Sequence, residues 1–83
     1  MQIRFLRLPQ VIERAASSRS VVYAQVKAGL LPPPIRLAPQ TSAWPEHELN
    51  EVLKARFTGK SDDEIRALVK RLIETRSLES VAA

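Results

Sequence analysis

The sequence predicts a mainly α-helical domain carrying one small β-hairpin, and three observations predict it. Apolar residues recur at helical spacing in four separate stretches, within 8–15, 22–26, 49–57 and 65–73. The two glycines, Gly29 and Gly59, stand just past the end of such stretches, where a helix closes into the left-handed region. Between them, Pro32-Pro33-Pro34 removes three backbone donors and stops any helix, so residues 35–44 are free to pair as short strands.

In chain order, Ile3 to Leu6 alternate weakly and form a short strand or an extended arm. Leu8-Pro9 opens the first helix, with Pro9 at the first helical position, where its missing N–H costs nothing. Leu8, Val11, Ile12 and Ala15 make its buried stripe. Ala16 and Ser17 leave only a tight turn before the second helix, Ser18 to Ala28, which opens on serines suited to a cap. Val22 and Val26 of that helix face inward, while Arg19, Ser20, Tyr23 and Lys27 lie on its other side. Two helices this short and this close pack at a steep angle as a helix-turn-helix.

After the prolines, Ile35 to Ala38 is a strand, Pro39-Gln40 a turn and Thr41 to Trp44 the returning strand, a hairpin placed as a wing. Pro45 begins a third helix, with Glu46 and Glu48 well placed in its first turn and a stripe of Leu49, Val52, Leu53 and Phe57 that ends at Gly59. Ser61 to Glu64 is a capping box for a fourth helix. That helix has the cleanest amphipathic pattern of the chain, in Ile65, Leu68, Val69, Leu72 and Ile73. Its stripe either folds back on the domain or meets a second copy, so these five residues are also the dimer-interface candidates. Ser77 to Ala83 has no period and is expected to fray. The organisation is thus a winged helix-turn-helix over 1–60, a C-terminal helix over 61–76 and a tail over 77–83.

Composition narrows the function. A chain of 83 residues is one small domain with little room for an enclosed pocket beside its core. Cysteine is absent, which excludes disulfides and thiolate metal sites. His47 is the only histidine and has no partner at ligand spacing, and no nucleophile–base set or glycine-rich phosphate loop can be assembled. Neither catalysis nor a cofactor or metal is expected. There is no long apolar run for a membrane span and no signal-peptide pattern, so the expected location is the cytoplasm.

The net charge of +4 is unevenly spread. Residues 1–45 carry Arg4, Arg7, Arg14, Arg19, Lys27 and Arg36 against Glu13, a balance of +5, whereas residues 46–83 balance at −1. The first half suits a polyanion, nucleic acid in particular, and a helix-turn-helix makes double-stranded DNA the expected partner. Arg19 opens the second helix, the end that approaches base edges, and arginine to guanine is the commonest specific contact. Ser17, Ser18 and Ser20 sit where hydroxyls and free N–H groups hold either a cap or a phosphate. Tyr23, at the edge of the buried stripe, can bury its ring and offer its hydroxyl to a phosphate. Lys27 and Arg36 are phosphate contacts, and Gln40 and Thr41 occupy the wing tip. Trp44 is assigned to the core.

These residues also carry a family resemblance. Leu6-Arg7-Leu8-Pro9 with Val11, then Ser18-Arg19-Ser20 with Tyr23, then Lys27-Ala28-Gly29 with Pro32, Pro34 and Ile35-Arg36-Leu37, and finally Ala43-Trp44 before an acidic helix start, come in the order of the AlpA family. The chain resembles these small phage and prophage regulators, related to excisionases and to MerR-type winged helix-turn-helix proteins. Ala24, Pro33 and Gln40 stand where relatives commonly carry a basic residue, and Leu31 where an aromatic is frequent. The resemblance implies DNA binding with control of phage or mobile-element genes, or excision alongside a recombinase or integrase. A reading of another class makes the chain an interaction adaptor that recruits such a partner through the stripe at 65–73.

Overall fold

The computed structural model describes residues 3–82, with side chains described as far as Leu78. Seven elements follow one another: β1 (Phe5–Leu6), α1 (Leu8–Arg14), α2 (Arg19–Lys27), β2 (Ile35–Ala38), β3 (Thr41–Pro45), α3 (Glu46–Phe57) and α4 (Asp62–Ala82). The strands form a three-stranded antiparallel sheet in the order β1-β3-β2. The hairpin pairs Ile35 with Ala43 and Arg36 with Ser42, then shifts register before Ala38 meets Thr41. The N-terminal segment is a strand, though not a neighbour of the hairpin in sequence. Phe5 pairs with Pro45 and Leu6 with Trp44, and the Glu46 N–H donates to the Arg4 carbonyl, which closes the sheet onto the start of α3.

Helix boundaries follow from local chemistry. Pro9 lies in the first turn of α1, one place later than expected, because Arg7 is the residue before the helix and its N–H is taken by the Gln10 side chain. Ser18 caps α2, its hydroxyl accepting the Val21 N–H at 3.3 Å. Ser61 and Glu64 form the reciprocal box at the start of α4. The Ser61 N–H donates to the Glu64 carboxylate at 3.0 Å, and the Glu64 N–H donates to the Ser61 hydroxyl at 3.2 Å. Those bonds to Ser61 hold the Glu64 carboxyl below its ordinary range, with a smaller contribution from Lys60.

Three helices end alike. After α2, the N–H of Gly29 donates to Val26 and that of Leu30 to Gln25. After α3, Gly59 donates to Arg56 and Lys60 to Ala55. Both glycines are left-handed, at φ 78° and 80°. The turn after α1 makes the same pair of bonds, Ala16 to Glu13 and Ser17 to Ile12, with an alanine at φ 50°. A left-handed L-residue costs about 1–2 kcal/mol, and a glycine returns part of that gain as unfolded-chain entropy. Ala16→Gly is therefore expected to stabilise the fold by about 0.5–1 kcal/mol in chemical denaturation. An unchanged midpoint would mean that the turn carries no such strain.

Every element except β2 contributes to one core. Leu6, Val11, Val22, Leu31, Trp44, Leu49, Val52, Ile65 and Val69 are buried together, with Leu8, Ile12, Val26, Leu53, Leu68 and Leu72 packed against them. Ile65 and Val69, named above as dimer candidates, are therefore consumed by the chain's own core, and Leu68 and Leu72 lie partly buried on it. Only Ile73 of that set stands open, at 39% exposure. Phe57 departs from the stripe expected of α3, since it is 91% exposed. At 3.6 residues per turn it lies about 140° around α3 from Val52, off the face that packs. The backbone of α4 also stays helical past residue 76, where a fraying tail was expected. Once a helix is nucleated, each further residue adds a hydrogen bond without a new nucleation cost. Ala83 lies outside the described residues.

Candidate nucleic-acid interface

The second helix owes its orientation to a single fully buried residue, Val22, with Val26 half-buried behind it. Residues three and four places apart share a helix face. Burying Val22 and Val26 therefore turns Ser20, Tyr23, Ala24 and Lys27 away from the core, while Arg19, three places before Val22, sits at the N-terminal edge of the buried stripe; all five are exposed. Tyr23 is 43% exposed, with its ring 6.4 Å from that of Trp44 and tilted by 54°. The Arg19 guanidinium lies over the Tyr23 ring, 5.9 Å from its centre. A core tryptophan thus supports a surface tyrosine, which in turn offers its π-face to the arginine.

That tryptophan comes from β3, so the same contact joins α2 to the hairpin. Trp44 is 2% exposed, and its Nε1 donates to the Pro32 carbonyl at 2.8 Å. The sequence assignment of Trp44 to the core holds. On the hairpin, Arg36 and Gln40 are exposed and Thr41 is half-buried. Arg36 folds back over the turn, donating from Nη2 to the Pro39 carbonyl at 2.6 Å.

The serines divide by local bonding. Ser18 is engaged as the cap of α2, and the half-buried Ser17 donates its hydroxyl to the Ala15 carbonyl at 3.2 Å. Ser20 is exposed in the first turn of α2. Arg14, counted among the cations of the basic half, pairs with Glu46 at 2.9 Å and also reaches Asn50, which ties α1 to α3. The exposed cations of the helix face are thus Arg19 and Lys27, with Arg36 on the hairpin.

Two arginines that sequence reasoning passed over hold this arrangement from behind. Arg76 Nε donates to Glu48 Oε2 at 2.8 Å, its Nη2 bonds Glu48 Oε1, and the same Nη2 donates to the Pro33 carbonyl at 2.9 Å. Glu48 is 2% exposed, and among the described residues no buried side-chain nitrogen or oxygen lacks a partner. Arg66 Nε donates to the Ala28 carbonyl at 3.0 Å. Both bonds span large sequence separations, so no local pattern announces them.

Among the described residues no group of three His, Cys, Asp or Glu side chains is placed to hold a metal ion. No helix there is long and apolar enough to cross a membrane. An open groove of about 580 Å³ runs between α3 and α4, lined by residues such as Glu51, Lys54, Leu68 and Arg71 and by none from α2.

Four helices, a small three-stranded antiparallel sheet and a cationic second helix form an architecture compatible with a winged helix-turn-helix. Comparison with known proteins gives the family. Residues 4–57 match the model of the prophage CP4-57 regulatory protein, AlpA. The chain belongs to this AlpA family, which is a regulatory family and not an enzyme family. It is also similar to the uncharacterized protein ORF88 of Enterobacteria phage P4, at 34% identity over 59 residues, covering 71% of this chain and 67% of that protein. No solved structure matches it.

Proposed function

We propose that the chain is a sequence-specific double-stranded-DNA-binding regulator of phage or mobile-element genes. One observation carries the reading. Arg19, Tyr23 and Lys27, four places apart, form an exposed row along a short helix that is fixed in the core at Val22. In this reading α2 enters the major groove with its N-terminal end toward the bases. Arg19 reads a guanine edge, Ser20 and the Tyr23 hydroxyl lie near phosphates, and Lys27 contacts the backbone. The hairpin tip, with Arg36, Gln40 and Thr41, flanks the groove. Membership of a prophage regulatory family supports the same reading.

The test is a footprint on the DNA flanking the gene, with wild type and Arg19→Ala compared. Wild type is expected to protect a discrete site, and Arg19→Ala to lose about 1–3 kcal/mol of affinity for it. Unchanged binding by Arg19→Ala would remove the recognition role. A site overlapping a promoter supports transcriptional control, whereas a site on a recombination attachment sequence reassigns the protein to excision. A footprint about twice as long as one helix-turn-helix covers would report two bound copies.

A further inference from the structure

Residues 28–34 connect α2 to the hairpin, and three of their carbonyls are held by side chains from elsewhere. Arg66 grips Ala28, Trp44 grips Pro32 and Arg76 grips Pro33. Leu31, between them, is buried in the core. Two of the three grips come from α4, which lies beyond the residues 4–57 that match the family. Arg66 also lays its stem across the turn that closes α2. A Cβ on Gly29 would stand 3.7 Å from Arg66 Cγ. Arg66 Nη1 pairs with Asp63 at 3.2 Å, so the guanidinium is braced on its own helix while it reaches the end of α2.

This bond matters because α2 is short. Nine residues span about 13 Å, so a tilt of about 10° around the middle moves each end by about 1 Å. Base-edge contacts tolerate roughly 0.5 Å, whereas a flexible lysine can follow a phosphate. Val22 anchors the middle of the helix and Ser18 caps its start, while the far end is held by Val26 against the core, by its closing turn and by Arg66, whose hydrogen bond ties it to α4. A cation at that end also faces the negative pole of the helix dipole.

We propose that Arg66 is a positioning residue for DNA recognition. By holding the carbonyl of Ala28, the residue that closes α2, against α4, it sets the angle at which Arg19 and Tyr23 are presented. The inference rests on the DNA-binding reading above.

Arg66→Met tests it, because methionine keeps an unbranched stem over Gly29 and loses the donor. The side chain of Arg66 is 45% exposed, so the variant is expected to fold. Three quantities are measured well below the melting temperature: amide exchange at Gly29 and Leu30, affinity for a duplex fragment from the flanking DNA, and affinity for a mixed-sequence duplex across salt. The expected result is exchange about tenfold faster at both amides and about tenfold weaker binding to the flanking fragment, the scale of one charge-assisted hydrogen bond. Mixed-sequence affinity and its salt slope stay at wild-type values, and Arg66→Lys, which retains a donor, recovers part of the loss. Unchanged exchange, or unchanged affinity for the flanking fragment, overturns the proposal. Weaker binding to both duplexes with a shallower salt slope overturns it too, since Arg66 is then a phosphate contact. If wild type binds neither duplex, the DNA-binding reading fails and the positioning role fails with it, an outcome distinct from Arg66→Met binding like wild type.

Discussion

Trp44→Ala is expected to remove about 3–5 kcal/mol of stability, the range for deleting a fully buried aromatic side chain. A domain of this size has roughly 4–12 kcal/mol in all, so the variant is expected to lose a large fraction of its stability. The loss has two sources. The ring fills the centre of the core between the sheet and the helices, and its N–H is the partner of a carbonyl in the buried Pro32 segment. Trp44→Phe separates them, because it keeps most of the ring and removes the donor. Its expected cost is about 1–3 kcal/mol, the penalty of one unsatisfied buried carbonyl. Chemical denaturation of both variants checks the assignment, and Trp44→Phe equal to wild type would contradict the role given to that hydrogen bond. Both changes also loosen the support under Tyr23, so the substitution that damages the core damages the proposed reading surface as well.

The second large effect is expected at Arg76. Arg76→Ala leaves the Glu48 carboxylate buried without its partner and releases the Pro33 carbonyl. Breaking a fully buried pair costs about 3–5 kcal/mol, and solvent access to the arginine reduces the expectation here to about 2–4 kcal/mol. The side-chain exposures of 22% for Arg76 and 2% for Glu48 place the burden on the carboxylate. Glu48→Met combined with Arg76→Met is expected to recover most of the loss, since no charge is then stranded. A double variant as unstable as Arg76→Ala would show that packing or the Pro33 bond, and not the buried charge, dominates. This pair fastens α4 to α3 and to the proline segment, which makes the C-terminal helix part of the domain's stability.

What could be read from the residues follows the range of the forces involved. Helix periodicity, the serine cap of α2, the Ser61–Glu64 box and the glycines at 29 and 59 are local signals, and the elements they announce are present. The hairpin was legible because prolines on one side and a helix start on the other left little else for residues 35–45. The alanine in the left-handed turn was not, since nothing in its identity marks that conformation. Phe57 misled because a nominal i+4 step from Leu53 carries it past the packed face. The pairs Arg14–Glu46 and Arg76–Glu48 join residues far apart in the chain, and only the fold brings them together. For the candidate interface, burial of Val22 dictates which side of α2 faces out, so periodicity located Ser20, Tyr23 and Lys27 on the open side and Arg19 at its edge. Periodicity could not show that Ser17 and Arg36 spend hydrogen bonds on nearby carbonyls.

The proposal that the open side of α2 meets a polyanion implies a salt dependence that an incidental basic face would lack. The decisive measurement is a titration of the wild-type chain with duplex DNA from the region flanking its gene, repeated over a series of salt concentrations. If a protomer neutralises about four phosphates, log K falls against log salt with a slope of about −3.6. Binding that is absent, or that does not respond to salt, would contradict the assignment of α2 as a DNA-reading helix.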